Sequence, residues 1–338
     1  MLDYIKTLRD LCGIMTVSGC EKNALSYIRE AFGGIFDEIR CDASGNVILL
    51  KKSTVDGAPK IMLDAHLDEI GMMVSGITEA GLLRVVPIGG LDRNILPAAE
   101  VTVYGKKELF GVITPTPAHL IDPKEKKTPE WSELLVDIGY PKEEAEALAP
   151  IGTLIKYRYE GDELLNSRFT GRGLDDKACA AALICAVEKV PREELSYDVY
   201  VTLSAGEETG RGGAACAAYS IRPDYAIVTD VNFALTPGVK PEEGGRLGAG
   251  PMISLSGVTD RGLTKKIIGI AREAEISVTT VVEATSTGTN ASCVYFACEG
   301  IPTAVVSLPL AGMHSYNELL QLDDAKAFSD LIARVISH

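Results

Sequence analysis

The chain is 338 residues long, 46% hydrophobic and 24% charged, and its acidic residues exceed its basic ones by 47 − 33 = 14. That is an ordinary globular composition, long enough for two domains or for one large domain with an insertion, and its net negative charge argues against nucleic acid or anionic membrane as a partner. The start has no basic n-region followed by an apolar core, no apolar run can cross a bilayer, and the eight cysteines form no C-x-x-C pair; we therefore expect a cytoplasmic protein with reduced core cysteines, without a disulfide framework or a cysteine zinc site.

In chain order, residues 1–12 and 21–33 predict two amphipathic helices, the second closed by Gly33-Gly34. Strands are expected at 35–40 and 46–50, joined by the turn-forming run Asp42-Ala43-Ser44-Gly45-Asn46. Lys60-Ile61-Met62-Leu63-Asp64-Ala65 reads as a buried strand that ends in His66-Leu67-Asp68-Glu69. Between 73 and 166 short strand-like runs (82–88, 100–104, 109–113, 153–159) and one helical stretch, 142–148, are punctuated by Gly and Pro. The charge clusters at 124–127 and 142–144 read as solvated faces. Regular strand–helix alternation fails in this stretch, which points to a small β-rich domain inserted into an α/β one.

The alternation resumes at Gly173-Leu174-Asp175-Asp176. An alanine-rich helix is expected over 177–190, a buried strand over 197–205, a small-residue helix near 211–219 and a strand at 225–228 ending in Thr229-Asp230-Val231. Residues 234–257 are rich in Gly and Pro and show little periodicity. A helix over 259–275, a strand over 277–282, a helix over 290–298, a strand over 303–310 and a capped helix over 323–336 complete the chain. The expected fold class is α/β: a mixed sheet flanked by helices, from 1–72 and 167–338, with the β-rich domain of 73–166 inserted.

Four predicted strands end in a residue able to bind a metal: His66, Glu208, Asp230 and His314. A fifth candidate, Asp175, opens a helix. Strand ends of one sheet converge in space, and in an open α/β sheet ligands bind at that edge. Two histidines and three carboxylates suit two divalent ions sharing one carboxylate, with a bridging hydroxide to attack a polarised carbonyl. Glu207, beside Glu208 but pointing elsewhere, is placed to take the water's proton. Asp68 suits a supporting role, accepting the free imidazole N–H of His66.

These residues resemble the glutamyl and deblocking aminopeptidases that form tetrahedral particles, a family of dinuclear metallopeptidases. The matching stretches are Ala65-His66-Leu67-Asp68-Glu69-Ile70-Gly71-Met72-Met73-Val74, Gly173-Leu174-Asp175-Asp176-Lys177, Gly206-Glu207-Glu208-Thr209-Gly210, Thr229-Asp230-Val231 and His314-Ser315-Tyr316-Asn317-Glu318. Gly111-Val112-Ile113 through Pro117-Ala118-His119-Leu120 and Val136-Asp137-Ile138-Gly139 match as well. The resemblance implies a zinc-peptidase-like catalytic domain and two divalent ions per subunit, zinc or cobalt. It implies one ion on His66 and Asp230, the other on Glu208 and His314, Asp175 bridging, Glu207 as base and Asp68 orienting His66. It also implies peptide substrates, an Asp175–Asp176 cis peptide, and a homo-oligomer, a dodecamer, assembled through the inserted domain.

Two departures bear on specificity. Asn290 stands in Gly288-Thr289-Asn290-Ala291 where the family usually has Asp, and Ala311-Gly312-Met313 lacks the family's Arg-Tyr pair before the last His. Both are expected near the substrate's first side chain, so a glutamyl preference does not carry over. His119 is expected to be a loop or interface histidine. A related deacylase or dipeptidase would share this metal site. An endoglucanase is disfavoured, because adjacent Glu207 and Glu208 do not by themselves flank a glycosidic bond, and so is a non-catalytic scaffold, because the whole set is present.

Overall fold

The computed structural model describes residues 2–115, 128–159 and 161–338. His119 and the cluster at 124–127 lie outside the described residues.

Helices α1 (Tyr4–Gly13) and α2 (Leu25–Phe32) lead into strands β1 (Glu38–Cys41), β2 (Val47–Lys51) and β3 (Lys60–His66). There follow β4 (Gly71–Ile77), β5 (Leu83–Ile88), β6 (Glu100–Tyr104), β7 (Glu108–Thr114), β8 (Leu135–Asp137), α3 (Lys142–Leu148) and β9 (Leu154–Tyr157). The remaining elements are β10 (Asp162–Leu164), β11 (Arg168–Gly171), α4 (Leu174–Lys189), β12 (Asp198–Ser204), α5 (Gly212–Ile221), β13 (Tyr225–Phe233) and β14 (Met252–Ser256). They end with α6 (Arg261–Glu273), β15 (Thr279–Glu283), α7 (Ala291–Tyr295), β16 (Thr303–Ala311), β17 (Glu318–Gln321) and α8 (Leu322–Ile336).

Eleven strands form one mixed sheet in the order β1-β2-β12-β3-β13-β16-β17-β11-β10, with β14 joining β16 to β15. Its centre, β12-β3-β13-β16, is parallel. Those four strands are buried along almost their whole length, as expected of a parallel sheet covered on both faces. Alternation along β3 sends Ile61, Leu63 and Ala65 into a large core with α1, α4, α6 and α8. Met62 goes to the opposite face, against the small residues of α5 and α7. By the same period of two, Asp64 and His66 lie on the face of Met62.

Strands β4 to β9 close into a separate barrel around Val74, Val85, Val101, Val103, Ile113, Val136 and Ile155. Two boundaries need correcting. The barrel begins at Gly71, inside the stretch assigned to the α/β part, and β10, assigned to the insertion, pairs with β11 in the large sheet. Strands β10, β11 and β17 are three or four residues long, too short to carry a periodic signal; β14 sits in the Gly- and Pro-rich stretch. The expected 290–298 helix shortens to Ala291–Tyr295. All eight cysteines are free, but only Cys12, Cys179 and Cys185 are buried; Cys20, Cys41 and Cys293 are half-buried, and Cys216 and Cys298 are exposed.

Candidate metal centre

The parallel strands deliver their C-terminal ends to one place. His66 is the last residue of β3, and Ser204, its partner in register, is the last of β12. In β13, Val228 pairs with Asp64, so Asp230 lies two residues on, alongside His66 and on the same face. Asp230 therefore sits inside β13, three residues before its end, and not at a strand terminus as the sequence suggested. Glu208 and His314 follow in the loops after β12 and β16.

Asp175 joins these groups. It lies at the start of α4 with non-helical backbone (φ −74°, ψ 106°), and the Asp175–Asp176 peptide is cis. Its Oδ1 lies 2.8 Å from His66 Nε2 and its Oδ2 lies 3.3 Å from His314 Nε2. His66 Nε2 is also 3.7 Å from Asp230 Oδ1, and His314 Nε2 is 3.3 Å from Glu208 Oε1. Two clusters result, His66–Asp175–Asp230 and Asp175–Glu208–His314, each with donor atoms within 4.8 Å of one another. The imidazole nitrogens and carboxylate oxygens are the donor types that divalent zinc or cobalt accepts.

Electrostatics point the same way. Burial, reinforced by the charges of neighbouring carboxylates, pushes Asp230 and Asp176 well above the ordinary carboxylate range. Burial likewise raises Glu208. So many withdrawn carboxylates facing two imidazoles make a site that a cation would stabilise.

The supporting contacts are specific. His66 Nδ1 is 3.0 Å from the Asp68 carbonyl oxygen and 3.4 Å from its carboxylate. A carbonyl can only accept, so Nδ1 carries the proton, which leaves Nε2 as the nitrogen that would turn a lone pair to a bound cation. The Asp68 carboxylate accepts from Ser18 Oγ at 2.6 Å and from the backbone N–H groups of Glu207 and Glu208 at 3.0 and 3.2 Å. Glu207 Oε1 meets Arg211 Nε at 2.6 Å, and the Arg211 guanidinium also donates to the Gly288 carbonyl.

Several contributors carried no sequence-level assignment. Glu318 accepts the backbone N–H groups of Leu174 and Asp175 (2.7 and 3.3 Å) with one oxygen and that of His314 (3.0 Å) with the other. Burial, then the Asp175 charge, pushes its carboxyl up to about 8. Beneath the site, Glu69 pairs with Lys177 (2.9 Å), Lys156 (3.6 Å) and Arg172, all buried. Arg211 and Glu318 stand four residues after Glu207 and His314, a spacing that could have flagged them; nothing local flags the Glu69 cluster.

Asn290 is not among the residues that line the cavity beside the clusters. It is buried, donating to Asp64 Oδ2 and Ser204 Oγ, both at 3.0 Å. Met313, by contrast, does line a cavity of about 540 Å³ that opens beside the clusters, together with Thr287, Gly288 and Thr289. Among the described residues no helix is long and apolar enough to cross a membrane.

The family model for M42 glutamyl aminopeptidase matches residues 45–331. The chain is 35% identical to the lysyl aminopeptidase of Pyrococcus furiosus, over 91% of this chain and 89% of that protein. Among solved structures, an aminopeptidase from the archaeon Desulfurococcus kamchatkensis superposes with a TM-score of 0.92 at 32% identity, covering 99% of this chain and 94% of that one. The Pyrococcus horikoshii TET1 peptidase, which can assemble into a tetrahedron or a large octahedral shell, gives 0.86 at 31% identity, with 99% of each chain covered.

Proposed function

The chain belongs to the M42 glutamyl aminopeptidase family and is a metal-dependent aminopeptidase, and we propose that two divalent ions per subunit, zinc or cobalt, occupy the two clusters. His66 and Asp230 hold one ion, Glu208 and His314 the other, and Asp175 is shared. The observation that carries this reading is the way Asp175 offers Oδ1 to the His66 cluster and Oδ2 to the His314 cluster. When bound, such a pair supplies Lewis acidity to the scissile carbonyl and makes the attacking water more acidic.

The chain's own residues do the rest. Glu207 accepts the water's proton and returns it to the departing amine, its carboxylate oriented by Arg211. Asp68 holds the Glu207 and Glu208 backbone in place, so that two adjacent carboxylates serve separate tasks. Its carbonyl fixes the tautomer of His66. The substrates are peptides with a free N-terminus, and the particle is a homo-oligomer, a dodecamer, whose subunit contacts involve the barrel.

The test is turnover of aminoacyl anilides against metal content. Chelation is expected to abolish cleavage and zinc or cobalt to restore it. Full turnover by the metal-free protein would overturn the reading, as would cellulose hydrolysis that survives chelation. Cleavage of N-acylated amino acids in preference to aminoacyl anilides would move the enzyme to the deacylases.

A further inference from the structure

A second cavity, of about 470 Å³, adjoins the one beside the clusters, and Val282 and Glu283 at the end of β15 line both. The two differ in charge. Among its described lining residues the catalytic cavity has one basic side chain, Arg211, already engaged by Glu207 and the Gly288 carbonyl. The second has Arg261 and Lys265, both exposed. They stand four residues apart on α6 and so share one face. Neither has an ion-pair or hydrogen-bond partner among the described residues. Glu283, the one acidic residue among the described lining residues of this cavity, is turned inward, its carboxylate engaged by Asn232 Nδ2 at 3.1 Å and by Ser254. The neighbouring Asp260 carboxylate caps α6, accepting from Leu263 N–H at 2.7 Å. Both cations also stand where a helix favours them least: Arg261 opens α6, Lys265 follows one turn on, and the first turn contains no acidic residue. The partial positive charge of a helix N-terminus opposes them, and an anion held between them would relieve the conflict. The wall common to both cavities continues as an apolar strip, since Val282, 74% exposed, pairs in register with Leu255.

We propose that the second cavity is a subsite for a carboxylate of the substrate peptide, downstream of the bond that is cut, with Arg261 and Lys265 as its receptors. The inference rests on the aminopeptidase reading above and adds the class of peptide: short ones that carry a carboxylate at their far end. The first residue lies at the clusters, the chain after it passes over Val282 and Leu255, and the carboxylate accepts N–H groups from the guanidinium and the ammonium. That carboxylate is either the peptide's own C-terminus or an acidic side chain beside it. An extended chain spans about 3.5 Å per residue, so one peptide length fits best and shorter ones fall short of the two cations. Both cations are exposed, so the selectivity they confer is a matter of a few fold each.

The experiment measures release of leucine by the metal-loaded enzyme from peptides of leucine followed by one to five glycines. Each length is made as the free acid, as the C-terminal amide, and as an amide whose last residue is aspartate. The acid-to-amide ratio of kcat/KM reads the terminal carboxylate, and the aspartyl-amide-to-amide ratio reads a side chain. At the best length at least one ratio is expected to reach about three- to tenfold, mainly through a lower KM, and to fall as added salt shortens the screening length. The double variant Arg261→Gln with Lys265→Gln should bring it to within about 1.5-fold of one, and Arg261→Glu with Lys265→Glu should invert it by like-charge repulsion. Each ratio is internal to one preparation, so partial misfolding lowers both rates and leaves it readable; acidic residues at a helix N-terminus also favour folding. Ratios near one at every length in the wild type overturn the proposal, as does an advantage that survives both double variants. Those outcomes leave the aminopeptidase reading standing, because the amides are still cleaved. If the metal-loaded enzyme releases leucine from none of the peptides, that reading fails and takes this proposal with it.

Discussion

The Asp68 carboxylate accepts the backbone N–H of Glu207 at 3.0 Å, so a residue just beyond the end of β3 sets the turn that follows β12. The same carboxylate accepts from Glu208 N–H and Ser18 Oγ, three donors in all. Asn at this position keeps one acceptor oxygen and turns an amide NH₂ toward a group that must itself donate. Asp68→Asn is expected to lower kcat by about 10–100-fold, the range for groups that support metal ligands, while both ions stay bound. Metal content and anilide turnover on one preparation check this; loss of an ion instead would make orientation of His66 the main task of Asp68.

The neighbouring glutamates should separate cleanly. Glu207→Gln keeps size and reach but cannot accept the water's proton, so kcat is expected to fall by about 10²–10⁴-fold with metal content intact. Glu208→Gln removes a negative oxygen from the cluster with Asp175 and His314 and should weaken occupancy of one ion. If Glu207→Gln loses metal and Glu208→Gln does not, the two roles are exchanged.

Among the described residues, Glu69 is the one carboxylate paired with the three buried cations Lys156, Arg172 and Lys177. Burial pushes its carboxyl up, but the three cations outweigh burial and hold it well below the ordinary carboxylate range. Glu69→Gln leaves those charges without an anion and should cost about 3–5 kcal/mol of stability, measured by denaturant unfolding. Lys156→Met relieves cation–cation repulsion and should cost clearly less, although it removes contacts from Nζ to the Gly13 and Ile14 carbonyls.

The same lysine predicts a pH dependence. Burial, helped by Arg172 and opposed by Glu69, lowers Lys156 to about 7, against about 10.4 in an unfolded chain. Below pH 7 both states carry the proton and the burial penalty is complete. Between about pH 7 and 10 the unfolded chain binds more protons than the folded one, so the unfolding free energy rises with pH. The stability of wild type minus that of Lys156→Met should therefore increase across that window. A flat difference would mean that the carbonyls around Nζ keep the ammonium charged throughout.

The barrel presents exposed apolar side chains, Val86, Phe110 and Ile151, the last 72% exposed. If the subunits meet there, Val86→Asp with Ile151→Asp should lower the sedimentation coefficient while metal content persists. A particle of unchanged size would move the contacts to the α/β part, where Leu165 is 88% exposed.

Much of the fold is legible in the amino-acid sequence alone. The apolar runs of β3, β12, β13 and β16 announce buried strands, and the polar residues at or after their ends announce a site. The barrel strands at 100–104 and 108–114 and the helix at 142–148 follow from local pattern and turn chemistry. Less is legible where partners supply the order. Strand β14 has little signal of its own and exists because β15 and β16 flank it. Asn290, expected beside the substrate, turns inward to the buried Asp64, whose carboxyl is pushed up to about 7 by burial.

The sequence by itself determined the chemistry: residue types able to hold divalent ions, a neighbouring base, and an α/β frame to carry them. Only the tertiary structure decided the geometry: that Asp175 turns one oxygen to each imidazole, and that Asp68 serves the turn after β12 as well as His66. These residues lie in elements far apart along the chain. Which of them meet depends on strand order and register, and no local pattern encodes either.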